Sequence, residues 1–209
     1  MSTDRPAFSR DSDREFYVGE FLNSHLYEIY FDKGERITDK KRQLSGVDIV
    51  CRHGEIPGEL LIDEKAATSW AHREIGTFAF ELSFLLGDRE IEGWFLEKDR
   101  KSETTHWLCV WPRTSGGEIN SEADIVSAEV VLIECKSLRR WARRIAGKST
   151  IYLEECIQKL RNSSGIREIE WAGLRVIISR NLPEQPINLL VPKEILRTLS
   201  GDFYWDLSC

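Results

Sequence analysis

The sequence has no run approaching the roughly 20 apolar residues that a membrane-crossing helix requires, so nothing in it marks a span. It has no Cys-x-x-Cys pair. Its cysteines, Cys51, Cys109, Cys135, Cys156 and Cys209, are scattered and odd in number, a pattern of free thiols rather than of a disulfide framework or a zinc site. Four of them lie in apolar stretches and are expected to be buried. His25, His53, His72 and His106 show no ligand spacing. There is no internal repeat, low-complexity tract or linker. There is no excess of positive charge either: 29 Lys and Arg against 35 Asp and Glu leave a net charge of −6. That balance disfavours non-specific coating of nucleic acid, but a local basic groove remains open to it. The opening residues MSTDRPAFSRDSD are polar and lack an apolar segment of signal-peptide type, so a cytoplasmic protein that does not enter the membrane is expected.

What is present suits an α/β domain with its own core. The chain has 209 residues, 41% of them hydrophobic and 31% charged, which is enough to bury a core without staples. Residues 11–31 carry Val18, Phe21, Leu22, Leu26 and Ile29 at helical spacing, predicting one amphipathic helix. Asp11 or Ser12 is the expected cap and Gly34 the expected stop. His25 falls on the apolar face, where a packed, hydrogen-bonded role is expected. The pattern then turns to strands: ERITDKKRQL, polar and edge-like, then GVDIVC and ELLIDEKA joined by RHGEIPG, a hairpin signal. TFAFELSFL alternates with period two, GDREIEG reads as its turn, and GWFLE, THWLCVWP and SAEVVLIECKS read as further strands. Trp94, Trp107 and Trp111 are expected to pack the sheets. SLRRWARRIAG and TIYLEECIQKLRNSSG read as helices, GLRVIIS and INLLV as late strands, and PKEILRTLSG as a last helix. The economical reading is one domain, with a core over about 11–111 and an α/β elaboration over about 124–209.

The segment GVDIVCRHGEIPGELLIDEKAA raises a chemical question. Side chains two apart on a strand share a face, so Asp63 and Lys65 point one way and Glu64 the other. Across a hairpin, Asp48 can join Asp63 and Lys65. Two apposed carboxylates repel unless a hard cation sits between them. Mg²⁺ or Mn²⁺ suits such oxygen ligands. A lysine beside the water of such a site can orient it, assist its deprotonation, or stabilise charge on a phosphate. The flanking Val47, Ile49, Val50, Leu60, Leu61 and Ile62 favour a covered site over a surface charge cluster, because covered acids need partners.

Asp48 followed by Asp63-Glu64-Lys65 resembles the signature of the PD-(D/E)XK, or restriction-endonuclease-like, nuclease superfamily, and the run IDEKAA with the strands after it looks like small bacterial and phage members. The proline that names the motif is absent; Val47 stands before Asp48. The resemblance implies a core of helix, three-stranded hairpin-rich sheet, helix and strand, here with extra strands and a C-terminal helix. It implies Mg²⁺-dependent phosphodiester hydrolysis, with Mn²⁺ able to substitute, in DNA or less often RNA. It gives Asp48 and Asp63 to the metal together with the backbone carbonyl of Glu64, and Lys65 to the water. Cutting both strands of a duplex would favour a homodimer. An inactive member that binds nucleic acid or a protein partner is the alternative.

Other residues carry paired readings. Glu81 is either a third metal or water ligand or a solvated strand position. Gln43, near the mouth of the hairpin, is a candidate for holding water or phosphate. Glu15 is either part of the metal shell or an acid of the helix's capping turn. A rival motif, Asp124 with Glu134-Cys135-Lys136, lacks a turn between its acids, so both are expected on one strand. Finally Lys136, Arg139, Arg140, Arg143, Arg144 and Lys148 crowd one helix. They suit a phosphate backbone, or else a solvated face paired with acids such as Glu154 and Glu155. Arg139, Arg140, Arg143 and Arg144 are the nucleic-acid-binding candidates.

Overall fold

The computed structural model describes residues 7–39, 46–96, 103–147 and 151–209; Gln43 and Lys148 lie outside the described residues. The chain forms two units that interleave in sequence. Met1–Ile75, Ser102–Cys135 and Ser200–Cys209 make the first, and Gly76–Lys101 with Lys136–Leu199 the second. The described residues give a mixed α/β structure with two sheets and four helices of eight residues or more. No helix among them is long and apolar enough to cross a membrane.

In the first unit, helix α1 spans Ala7–Leu22. It therefore starts before Asp11 and Ser12, which sit inside it rather than capping it. A π turn over Asn23–Tyr27 and a short helical piece, Glu28–Tyr30, continue it. The π turn inserts one residue and rotates the buried face. Tyr27 and Phe31 become buried, and Ile29, expected on that face, is 63% exposed. His25 packs as expected, with its ring stacked on Phe21 at 4.3 Å and Nδ1 hydrogen-bonded at 3.0 Å to the Phe21 carbonyl.

Six strands follow: β1 Asp32–Arg36, β2 Ile49–His53, β3 Ile56–Ala66, β6 His106–Thr114, β7 Ile125–Glu134 and β11 Tyr204–Ser208. They form one sheet in the order β1-β2-β3-β6-β7-β11. The first strand lies earlier than ERITDKKRQL suggests, so Gly34 is a strand residue, not a helix stop. The β2–β3 turn is only Gly54 and Glu55, and IPG belongs to β3. The register slips between Cys51 and His53, and Gly58 at φ 91° supplies the left-handed backbone such an irregularity needs. β3 pairs with β6 in parallel, whereas every other pairing in this sheet is antiparallel. A parallel pair needs a long crossover. Here it holds a 3₁₀ turn at Thr68–Trp70 and then two strands, Thr77–Leu86 and Arg89–Glu92, with no α-helix among its described residues. The helix expected there comes only after β7.

Burial explains the sheet. Val18, Phe21, Leu22 and Leu26 of α1 join Leu60 and Ile62 of β3, Leu108 and Val110 of β6, and Val130 and Leu132 of β7 in one apolar cluster. Trp107, Cys109 and Trp111 alternate with Leu108 and Val110 and are buried as well, so β6 is covered on both faces. That explains its continuous apolar run.

The second unit holds a five-stranded sheet in the order β5-β4-β10-β9-β8. Its strands are β4 Thr77–Leu86, β5 Arg89–Glu92, β8 Glu168–Trp171, β9 Leu174–Ile178 and β10 Ile187–Pro192. REIE, expected as a turn, is thus a strand, and GWFLE, expected as a strand, is a turn through Gly93–Leu96. Gly93 is required there: a Cβ on it would lie 2.4 Å from the Glu81 carbonyl oxygen. Three helices complete the order: α2 Cys135–Ala146, α3 Leu153–Asn162 and α4 Lys193–Ser200. Across the chain all five cysteines are free; four are buried and Cys209 is exposed.

Candidate active site

The hairpin register assembles the site. Ile49 pairs with Ile62 and Val50 with Leu61, and the Asp48 N–H donates to the Ile62 carbonyl at 2.9 Å. Asp48 lies in the bend just before β2, and its carboxyl reaches the Asp63 carboxyl and the Glu64 N–H. Asp48, Asp63 and Lys65 are thereby brought together from positions 15 and 2 residues apart. The Lys65 Nζ donates to Asp63 Oδ1 at 2.5 Å, and the Asp48 carboxyl acts on Asp63 both by charge and by hydrogen bonding.

Burial decides the electrostatics. Asp63 is 5% exposed. Loss of water pushes its carboxyl up to about 7, with Asp48 adding to the rise and Lys65 opposing it. Burial works against the Lys65 ammonium, yet Asp63, with Asp48 and Glu15, outweighs it and holds the group above the usual lysine range. Near neutral pH the pair therefore combines a carboxyl close to its midpoint with a lysine that keeps its proton.

Glu64 points the other way, as period two requires. Arg36 grips its carboxylate with both terminal nitrogens, at 2.9 and 3.1 Å. The same guanidinium donates to the Asn23 side chain at 2.8 Å and to the Gly19 carbonyl at 2.6 Å. Burial raises the Glu64 carboxyl, opposed by Arg36, and burial together with Glu64 lifts the Tyr27 phenol well above its usual range. This pair ties β1 and the C-terminal end of α1 to the strand that carries the acids. On the backbone, the Glu64 N–H donates to Asp48 Oδ2 at 2.7 Å. In an extended strand the N–H and C=O of one residue face the same edge. The Glu64 carbonyl therefore opens toward Asp48, beyond the point where β2 pairing ends at Ile49 and Ile62.

Among the described residues no group of three or more His, Cys, Asp or Glu gathers as a metal cage. Two neighbouring carboxylates and the Glu64 carbonyl at the strand edge are a sparse oxygen set. Such a set suits Mg²⁺ or Mn²⁺, which keep much of their water, and not zinc.

Glu81 belongs to the second unit. It is half-buried on β4, and its carbonyl accepts the Phe95 N–H at 3.1 Å. Glu15 lies in the interior of α1, not in a capping turn, and it adds its charge to the field on Lys65. The rival motif does not assemble. Asp124 precedes β7 and Glu134 ends it, which separates them by about 33 Å along an extended strand. Asp124 instead closes a capping box, accepting from the Asn120 and Ser121 N–H groups, which lowers its carboxyl.

Of the basic helix, Lys136, Arg140, Arg143 and Arg144 are exposed and share one face, while Leu138 and Ala142 bury the other. Arg139 stands apart: its guanidinium donates to the Phe95 and Trp94 carbonyls at 2.9 and 3.1 Å.

Arg36 and Tyr27 were not singled out from sequence. Arg36 sits in a polar stretch where any of several cations would serve, and Tyr27 becomes buried only because of the π turn. No family model, curated protein or solved structure matches the chain.

Proposed function

We propose that the protein is a divalent-metal-dependent nuclease of PD-(D/E)XK type acting on DNA, with RNA as the second substrate class. The observation that carries this reading is the convergence of Asp48, Asp63 and Lys65 on one face, two of them carboxylates held side by side and one of those buried. Three antiparallel strands followed by a parallel fourth, with Asp48 just before the second and Asp63 on the third, support it.

Asp48, Asp63 and the Glu64 carbonyl would hold Mg²⁺ or Mn²⁺. A cation bound there supplies charge neutralisation at the phosphate and eases ionisation of water. Asp63 must give up its proton to bind it. Lys65, kept protonated by the two aspartates, acts as a donor: it orients the attacking water or takes up charge growing on a phosphate oxygen. Its raised pKa makes it a poor proton acceptor, which favours alignment over general-base work. The Arg36–Glu64 pair keeps β3 in register so that the acids stay aimed together.

The test is cleavage of plasmid, linear duplex and single-stranded DNA with Mg²⁺ or Mn²⁺, comparing wild type with Asp63→Ala and Lys65→Ala. Metal-dependent cutting lost in both variants is expected. Cutting that persists in both would remove the site from the chemistry.

A second reading, binding of nucleic acid without turnover, is favoured by the exposed face of Lys136, Arg140, Arg143 and Arg144. It predicts salt-dependent binding by a protein that cuts nothing.

A further inference from the structure

The second unit contains a cavity of about 330 Å³, at the small end of the range that holds compact organic ligands. Its walls include Phe95, Ala142 and Trp171, all buried. Tyr152 lies on its rim, 75% exposed. The body of the cavity is thus aromatic and apolar, and a planar ring can stack there.

The polar groups around it are mostly donors. Trp171 is 2% exposed, and its indole N–H is buried with no acceptor among the described residues; an orphaned donor of this kind is costly to leave unmet. The N-terminus of α3 opens at the same place, since Tyr152, Leu153 and Glu154 all line the cavity. Tyr152 gives this helix no side-chain cap, and its carbonyl takes the Glu155 and Cys156 N–H groups, so what the helix start brings to the cavity is the positive end of its dipole. Arg143 brings an exposed guanidinium, continuous with Arg140 and Arg144 on α2. Arg139 lines the cavity but is spent on the Phe95 and Trp94 carbonyls. Glu154 contributes one carboxylate against these two arginines. The complement of such a site is a flat ring bearing hydrogen-bond acceptors, attached to an anion.

We infer that this cavity binds a nucleotide, its base among Phe95, Trp171 and Tyr152 and its phosphate on Arg143. Choosing a nucleotide over another aromatic anion rests on the nuclease reading. The nucleotide has two sources: a free mononucleotide, or an unstacked residue of a single strand whose neighbouring phosphates run along Arg140 and Arg144.

The experiment uses the full chain in EDTA, so that binding is read without turnover. A fluorescein-labelled oligo(dT) is followed by anisotropy, the same sequence as duplex is its comparison, and dTMP is added as competitor and titrated alone by tryptophan fluorescence. Single-strand binding well above duplex binding is expected. Arg143→Glu and Tyr152→Ala, both on exposed residues, should weaken it at least tenfold. Trp171→Phe, which keeps an aromatic ring but removes the N–H, should weaken it several-fold in a protein that circular dichroism shows folded at the assay temperature. Competition by dTMP assigns the site to free nucleotides as well, and strand binding without competition assigns it to the chain. No binding of either probe, or binding that Arg143→Glu and Tyr152→Ala leave unchanged, overturns the inference. Cleavage is scored separately: loss in Asp63→Ala with strand binding intact upholds the nuclease reading whatever the cavity does, and metal-dependent cutting by a protein whose cavity binds nothing sinks the cavity alone.

Discussion

Metal binding at Asp48 and Asp63 should be a proton exchange centred near neutral pH. The perturbation is pH in the presence of Mg²⁺ or Mn²⁺. Asp63 has its carboxyl raised to about 7 by burial, with Asp48 adding to the rise, and the cation must displace that proton. Apparent affinity therefore scales with the fraction of Asp63 ionised. Between pH 8 and pH 5.5 it should fall about 30-fold, equivalent to about 2 kcal/mol. At pH 7 roughly half a proton should leave per metal bound. Calorimetry at each pH, in two buffers of different ionisation enthalpy, measures both quantities. Asp63→Asn should abolish binding. An affinity flat from pH 5.5 to 8, or no proton released at pH 7, would refute the argument that a buried, protonated carboxyl is a ligand.

The same shift has a consequence for the metal-free fold. The Asp63 carboxyl is raised above its ordinary 3.8, so between about pH 4 and 7 the native state binds more protons than the unfolded chain. Its contribution to stability is fully present below the unfolded pKa and lost as pH rises through the folded one. A shift of about three units corresponds to roughly 4 kcal/mol lost by pH 8, which added Mg²⁺ should partly restore. Denaturant unfolding in EDTA at pH 5 and pH 8 reads the first effect, and the same pair with metal reads the second.

Three further substitutions test the frame around the site. Arg36→Met removes both bonds to Glu64 and strands a half-buried carboxylate, which should cost roughly 2 kcal/mol, between the values of exposed and buried pairs; adding Glu64→Gln should recover most of it, and a single-variant cost under about 0.5 kcal/mol in urea unfolding would show that the pair is idle. Gly93→Ala places a Cβ 2.4 Å from a backbone oxygen, so the turn after β5 must move; a melting temperature within error of wild type would contradict the packing described there. Ala172 and Gly173 form the two-residue turn between β8 and β9, with φ of 52° and 81°. Ala172→Gly should therefore stabilise by roughly 0.5–1 kcal/mol, since only glycine adopts this conformation without strain. A destabilised variant in thermal melts would count against that turn geometry.

The parts of the fold legible in the sequence were those whose pattern is set within a few residues. Period two in GVDIVC and ELLIDEKA placed Asp63 and Lys65 on one face because alternation is built into the extended chain. The short gap between the strands then left few registers that keep Ile49, Cys51, Leu60 and Ile62 all inside, and the observed register is one that does. What failed depended on longer-range geometry. Ile29 and Tyr27 escape the pattern because a π turn has no compositional mark, and Arg36 because its polar stretch holds several cations that would serve equally. REIE and GWFLE exchanged roles because a four-residue strand with three charged residues is recognisable only from its partner β4, and a turn rich in aromatics looks like a strand until it is packed. The interleaving of two units could not be read at all: their boundaries at Ile75 and Gly76, and at Cys135 and Lys136, fall in ordinary sequence with no Pro-, Gly- or Ser-rich tract.

That contrast bears on how the site is built. The acids and the lysine need only a hairpin to meet, but the hairpin alone does not make Asp63 unusual. Its raised pKa comes from burial first, and burial requires the parallel strand β6, which sets Trp107 beside Asp63 and Cys109 beside Lys65. Those partners lie more than 40 residues away, across a crossover that contains a whole hairpin of the second unit. The local sequence therefore encodes which groups meet, and the distant strand encodes how they titrate. Substitutions on β6 that admit water, such as Trp107→Ala, should lower the Asp63 pKa toward its ordinary value without touching the three residues. The expected result is a metal affinity that no longer depends on pH between 5.5 and 8, read by the same calorimetry, provided that circular dichroism shows the sheet intact. A variant that keeps the native pH dependence while remaining folded would mean that Asp48, and not burial, raises Asp63.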